Sequence, residues 1–443
     1  MALELELGRR LGGQVSGLRR LLGGASRETW AFELDGRPLV LRRDPAGAPR
    51  GGAMRREAAL LRAASAAGVP VPEVIDADDT SIVMSWLDGE TIARRILRDD
   101  AYVVTRSRLL DQLATAAARL HGGVGPADVE GLPEPVDVLA DLRETLDGFG
   151  EPHPALELGL RRLEKSRPAP TAHVVVHGDF RLGNLMVDTD GLVGVLDWEL
   201  AHVGDAAEDL GWMCVRSWRF GSALPVAGVG DRDALLTAYA AAGGPKVDSE
   251  TLDWWEAYGT LRWAVICAQQ AATHLSGAVR SVELAVIGRR ICEVELDLLD
   301  LLVGQQPIDD LPAPDQNPRR MRTDRTVRIR RGTSEAGPHD RPTATELLSA
   351  TREWIAGLEL TGRDAFLARV VDRALATVDR EIALGPLLAD RHRNRLEAIG
   401  YADDVELAQG ISNGDDREAV WDAVRESVVD KLRVADPQQL SNR

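Results

Sequence analysis

Apolar and polar positions alternate in short stretches near the start of the chain. Thr29 to Leu34 reads as a strand, Asp35-Gly36 carries a tight-turn signal, and Pro38 to Arg42 reads as the returning strand, which together predict a β-hairpin. The period then changes: Met54 to Ala67 spaces Ala58, Leu61 and Ala64 at helical intervals, and Gly68 closes the helix. Val69 to Pro72 is extended, because a residue preceding proline is pushed out of the helical region. Ser81 to Trp86 is a further short strand. The order strand, strand, helix, strand, strand within roughly 90 residues predicts a small sheet with one helix.

From about Glu90 the pattern is mainly helical, clearest over Arg106 to His121 with Leu109, Leu110, Leu113, Ala117 and Leu120 on one face. One β element interrupts it. Val174 to Val176 leads into His177-Gly-Asp-Phe-Arg-Leu-Gly-Asn184, and the runs 185–187 and 192–196 flank the turn Asp188-Thr-Asp-Gly191. Helices resume near Asp205 and run, with breaks at Gly243-Gly-Pro245 and near Gly277, to Leu302. Residues 305–342 are rich in Pro, Gly and Arg and read as a linker. Beyond it, Thr343-Ala-Thr-Glu346 fits a capping box, and Val370, Val371, Leu375, Val378 and Ile382 recur at helical spacing. The expected organisation is residues 1–87, β-rich; 88–304, mainly helical; 305–342, linker; and 343–443, a separate helical domain.

Composition narrows the function classes. With 443 residues, 44% hydrophobic and 28% charged, the chain suits two or three cores and shows no membrane-spanning run. The segment MALELELGRR lacks a signal-peptide pattern, and Cys214, Cys267 and Cys292 lack metal-ligand spacing, so a cytoplasmic protein with reduced thiols is expected. A net charge of −17 speaks against a nucleic-acid partner, and the arginines between 319 and 331 read as a solvated linker. Trp212, Trp218, Trp254, Trp255 and Trp263 are expected to pack in a core.

The chemistry concentrates around the second hairpin. Asn184 and Asp197 lie nearly symmetrically about its turn, so antiparallel pairing puts both at one end, and the strand ending at Val176 delivers Asp179 there. Two carboxylates and a carboxamide, all oxygen donors, are the set that Mg²⁺ prefers, and a triphosphate beside a −17 chain calls for such a cation.

His177-x-Asp179-x-x-x-x-Asn184 followed by Asp197-Trp198-Glu199 resembles the catalytic loop and metal-binding aspartate of the kinase fold. HGDFRLGNLMVD and GVLDWELAHVGDAAEDL resemble the aminoglycoside and choline phosphotransferase-like family, over about residues 15–300. The resemblance implies an α+β, bilobal protein-kinase-like fold, with a small β-rich N-lobe, a mainly helical C-lobe and here a C-terminal all-α domain. It implies Asp179 as the base that orients the acceptor hydroxyl, and Asn184 and Asp197 as holders of Mg²⁺ on ATP or GTP. Ser26, in Gly23-Gly-Ala-Ser26, is implied in the phosphate-covering loop, and Ser85 to Leu87 in the hinge that meets the purine. Arg42 occupies the place of the family's lysine and Glu57 that of its helix partner; no lysine precedes Lys165. Asp205, Asp209 and His121 are implied in packing.

The acceptor is expected to be a small-molecule hydroxyl. Aminoglycosides are the best-known class, whereas LVLRRDPAG, REAALL and GVPVPEVI resemble the branch associated with acyl-CoA dehydrogenases, which implies hydroxyacyl-CoA-like acceptors. The alternative, motivated by Arg42 and the appended domain, is a nucleotide-binding pseudokinase or scaffold. The C-terminal unit resembles a small helical domain of unknown function that accompanies such phosphotransferases.

Overall fold

The computed structural model describes residues 2–21, 27–45, 52–308 and 343–441. Ser26, the glycines before it and most of the expected linker lie outside the described residues. Two compact units are formed, residues 1–143 with 162–262, and residues 144–161 with 263–443.

The first unit begins with a helix, Ala2–Leu11, and a five-stranded antiparallel sheet in the order β1-β2-β3-β5-β4. The strands are β1 (Val15–Arg20), β2 (Glu28–Leu34), β3 (Arg37–Arg43), β4 (Val74–Ala77) and β5 (Ser81–Ser85). β2 and β3 pair without a break from Glu28↔Arg43 to Leu34↔Arg37. Asp35 and Gly36 close the hairpin with φ of 52° and 83°, the left-handed pair that a two-residue turn needs to follow strand twist. The N-terminal helix and β1 were not expected. Within a segment that alternates on paper, Leu3, Leu7 and Leu11 share one helix face, and Leu7 is buried with Phe32, Leu39, Leu41 and Val83. β4 starts only at Val74, past Pro70 and Pro72, which lack the amide donors a strand needs.

Helix Ala53–Ala66 packs on the sheet through Met54, Ala58, Leu61 and Ala64. These residues join one continuous core with Leu109 and Leu113 of helix Val103–Gly123 and with Val175, Phe180, Leu185, Val195 and Trp198. That shared core anchors two small ribbons. β6 (His173–Val176) pairs with β9 (His202–Asp205), and β7 (Leu185–Val187) pairs with β8 (Leu192–Val195). The β7–β8 turn is held locally, Asp188 Oδ1 accepting from the amides of Asp190 and Gly191, and Leu192 N–H donating to Gln112 Oε1 at 2.9 Å. Trp212, Trp218, Trp254 and Trp255 are buried.

The second unit is helical. Its core joins Cys292, Leu296 and Leu299 of helix Ile291–Val303 with Leu396, Leu407, Val424, Val428 and Leu432. The helices after residue 263, expected in the same lobe as the second hairpin, therefore share a core with the C-terminal helices: their apolar face finds its complement there. Thr343 and Glu346 form the expected capping box, with Thr343 N–H donating to Glu346 Oε2 at 2.7 Å and Glu346 N–H to Thr343 Oγ at 3.3 Å. The three cysteines are buried and unbridged. No helix among the described residues is long and apolar enough to cross a membrane.

Candidate active site

Backbone bonds put the β7–β8 ribbon where its root can matter. Glu90 and Val187 exchange hydrogen bonds of 2.8 and 3.0 Å, and Val195 N–H donates to Pro70 O at 2.8 Å. At the root, Leu196 N–H donates to Asn184 O at 2.8 Å, so Asn184 and Asp197 come to one end of the ribbon. Asp197 is left-handed, with φ 64° and ψ 66°, an uncommon conformation outside glycine that turns its side chain out of the ladder. That side chain is 41% exposed.

The loop before Asn184 is braced from beneath. Asp209, fully buried, accepts the amides of His177 and Gly178 at 2.7 and 2.9 Å and faces His121 Nε2 at 3.1 Å. Burial pushes its pKa up, but the His121 hydrogen bond, the neighbouring histidines and the His177 amide more than reverse this, leaving it below the usual carboxylate value. His177 accepts the Asp179 amide on Nδ1 at 3.2 Å, so its proton sits on Nε2, which donates to Leu196 O at 3.0 Å. One imidazole thereby ties the loop to the strand that carries Asp197. Gly178 has φ +75°, and a Cβ there would meet Leu200 O at 2.5 Å, so no other residue fits without displacement. Asp205 caps the next helix through Ala207 N–H at 2.8 Å.

Asp179 is held on both oxygens. Arg181 Nε and Trp212 Nε1 each donate to Oδ1 at 2.8 Å, and Asn184 Nδ2 donates to Oδ2 at 2.5 Å. Asn184 Nδ2 also reaches Asp179 O at 3.0 Å. With its amide nitrogen so committed, Asn184 keeps Oδ1 as the group able to ligate a cation. Arg181 lies over the Trp218 ring at 4.5 Å and Arg262 over Trp212 at 5.0 Å, while Arg262 Nη1 donates to Gly178 O at 3.0 Å.

Arg42, on β3, spans the gap to the other group of residues. Its Nη1 donates to Glu57 Oε1 at 2.6 Å and its Nη2 to Asp197 Oδ1 at 2.5 Å. Burial works against the Arg42 charge, and Glu57 and Asp197 outweigh it, so its pKa is raised. Glu57, 3% exposed, receives a second guanidinium, Arg27, on its other oxygen. Arg27 also lies 3.5 Å from Asp44 and 4.0 Å from Glu199, and Arg42 lies 3.8 Å from Glu199. Two guanidiniums thus face four carboxylates, an excess of negative charge that suits a divalent cation on the half-exposed Asp197. Among the described residues no three His, Cys, Asp or Glu side chains gather as a ready-made metal cage. Asn184 Oδ1 and Asp197 are the oxygens here that could hold a hard divalent cation, a kind of ion that takes few protein ligands beside a phosphate.

Of the expected hinge, the Ser85 amide donates to Glu73 O at 2.9 Å and the Trp86 amide to Pro38 O at 3.3 Å, so both serve the sheet. Leu87 is the first hinge position beyond those pairs. Ser26 lies outside the described residues. Arg27, Arg181 and Glu199 were not singled out in the sequence, although Arg27 directly follows Gly23-Gly-Ala-Ser26 and Arg181 lies inside the catalytic-loop pattern.

Residues 17–258 match the phosphotransferase enzyme family. The chain belongs to that family. Residues 358–439 match a family described as a domain of unknown function. Acyl-CoA dehydrogenase family member 10 of Mus musculus is 29% identical over 249 residues, covering 51% of this chain and 23% of that protein. Hygromycin-B 4-O-kinase of Escherichia coli is 22% identical over 212 residues, covering 43% of this chain and 60% of that protein. The phosphotransferase-family chain thus spans less than two thirds of the length of either relative. A crystal structure of a protein from Ralstonia eutropha JMP134 superposes with a TM-score of 0.53 at 22% identity, covering 66% of this chain and 95% of that one. The fold is therefore the kinase-like one, with a β-rich N-terminal region and a helical remainder.

Proposed function

We propose that this chain transfers the γ-phosphoryl group of ATP, or GTP, to a hydroxyl group of a small molecule. The observation that carries the reading is the convergence of Asp179 and Asn184, joined at 2.5 Å, with an Asp197 that Arg42 links to the buried Glu57. Family membership supports phosphotransfer. Asp179 orients the acceptor hydroxyl and takes its proton; Arg181, Trp212 and Asn184 aim the carboxylate without using all its lone pairs. Mg²⁺, held by Asn184 Oδ1 and Asp197, supplies neutralisation of the triphosphate and of the charge that develops in transfer. Arg42, steadied by Glu57, contributes a permanent cation on the N-lobe side, and the amide of Leu87 is offered to the purine.

On the acceptor side, two arginines stacked on tryptophans adjoin Asp179. Each is matched by a carboxylate, Arg181 by Asp179 at 2.8 Å and Arg262 by Glu208 at 3.4 Å; similarity to acyl-CoA dehydrogenase family member 10 supports a hydroxyacyl-CoA-like acceptor, and similarity to hygromycin-B 4-O-kinase an aminoglycoside-like one. The second reading, a nucleotide-binding pseudokinase, draws on Arg42 in the place of a lysine. Titration with Mg²⁺–ATP and Mg²⁺–GTP, followed by ADP release over a panel of hydroxylated acyl-CoA thioesters and aminoglycosides, separates them. Turnover that falls ~10²–10⁴-fold in Asp179→Asn, with nucleotide affinity retained, supports the kinase. Nucleotide binding without turnover on any acceptor supports the scaffold, and absence of Mg²⁺-dependent binding removes both.

A further inference from the structure

We propose that Arg262, on helix Ser249–Leu275, is a positioning residue for Asp179, an inference that rests on the reading of Asp179 as the base. It acts through two partners, the carbonyl of Gly178 and the ring of Trp212. All four residues belong to the first unit.

The first route runs through the backbone. The peptide between Gly178 and Asp179 is held at both of its polar atoms: its carbonyl accepts from Arg262 Nη1 at 3.0 Å, and its N–H donates to His177 Nδ1 at 3.2 Å. A peptide unit is planar, so pinning both atoms fixes the plane from which the Asp179 side chain departs. Gly178 needs such a clamp, because its φ of +75° relies on a residue with more backbone freedom to lose than any other.

The second route runs through the side chain. The Arg262 guanidinium carbon lies 5.0 Å from the centre of the Trp212 ring, and Trp212 Nε1 donates to Asp179 Oδ1 at 2.8 Å. A cation over an indole face holds the ring plane and polarises the ring, which strengthens its N–H as a donor.

The charge pairing of Arg262 shows where it is aimed. A guanidinium that served only to neutralise Glu208 would make a two-pronged contact at ~2.7–2.9 Å. Instead Nη1 stands 3.4 Å from Glu208 Oε1 and keeps its shorter contact for Gly178 O, while Glu208 Oε2 faces His202 Nε2 at 3.2 Å.

The test compares Arg262→Lys with Arg262→Met in the full chain. Lysine keeps a cation for Glu208, but a single ammonium cannot lie flat on Trp212 and donate to Gly178 O at once. Mg²⁺–ATP hydrolysis is read as ADP release, with water in the acceptor's place, beside Mg²⁺–ATP affinity by calorimetry and the melting temperature. Arg262→Lys is expected to melt as the wild type does and to bind Mg²⁺–ATP unchanged, while kcat falls ~10-fold or more, the size of a lost charge-assisted hydrogen bond. Arg262→Met is expected to lose kcat alike and to melt earlier, because Glu208 loses its cation; where it does not fold, Arg262→Lys decides. A lysine variant with wild-type melting temperature and wild-type kcat overturns the proposal, since it leaves Arg262 only the neutralisation of Glu208.

A second measurement does not depend on turnover. The Trp212 indole proton, assigned by NMR through its loss in Trp212→Phe, is expected to exchange with water ~10-fold faster or more in Arg262→Lys than in the wild type, as a loosened hydrogen bond requires. Equal exchange in the two proteins overturns the proposal. A wild-type chain that hydrolyses no ATP counts against the kinase reading, and the indole exchange then decides the role of Arg262 by itself.

Discussion

Arg42 donates to Asp197 across 155 positions of sequence, and the same guanidinium donates to Glu57, so one side chain of the sheet grips both the helix beside it and the root of the β7–β8 ribbon. Lysine, with a single ammonium, cannot hold two carboxylates in a fixed fork. Asp197 is therefore partly engaged by protein, and a metal that takes Asp197 must share it with Arg42 or displace it.

Replacing Arg42 exposes this arrangement. Arg42→Met leaves Asp197 and one oxygen of Glu57 without their strongest donor. Mg²⁺–ATP affinity is expected to fall about 10- to 100-fold, the size of a hydrogen bond to a charged group. Arg42→Lys is expected between the two. Calorimetry measures both; equal affinity in all three proteins would remove Arg42 from the nucleotide site.

Glu57 sits between two guanidiniums in the interior, so its loss leaves uncompensated charge. Glu57→Gln should destabilise the chain by ~3–5 kcal/mol, the cost of breaking a buried pair, as read from urea unfolding. A change of only a few tenths would mean that Arg27 and Arg42 find other acceptors.

Gly178 tests the loop directly. A Cβ at φ +75° beside Leu200 O cannot be accommodated in place, so Gly178→Ala should cost ~1–3 kcal/mol and shift Asp179 from its partners. The check is a lowered melting temperature together with loss of turnover beyond what reduced stability explains.

His202 gives a pH signature. Burial pushes its pKa down, but its hydrogen bond to Glu208 at 3.2 Å and the charge of that carboxylate carry it above the ordinary 6.5. A raised folded-state pKa stabilises the protein fully below the unfolded value, and that stability is lost as pH rises through the folded value. Unfolding free energy should therefore decline from pH 6 toward pH 8, and His202→Gln should flatten that slope. An unchanged slope would place the pH dependence elsewhere.

Local chemistry is what made much of the site legible. Asp35-Gly36 can close only a tight turn, Thr343 and Glu346 can cap a helix without outside help, and the spacing of Asp179, Asn184 and Asp197 follows from one hairpin. What stayed hidden depends on partners distant in sequence. The helix Ala2–Leu11 is amphipathic only when the sheet supplies Phe32 and Val83 to receive Leu7. Arg27 has significance only because Glu57, thirty residues on, turns its second oxygen toward it.

The amino-acid order alone determined the β2–β3 hairpin and the residues gathered at the β7–β8 root, because each rests on turns and periodicities contained within a few neighbouring positions; the fold class was legible through the resemblance carried by the 177–184 and 197–199 patterns. Tertiary structure alone decided that Arg42 reaches Asp197, that Arg181 and Trp212 aim Asp179, and that the helices after residue 263 close a core with the C-terminal helices. Burial and charge pairing at long range depend on which surfaces meet, and no local stretch of the chain carries that information.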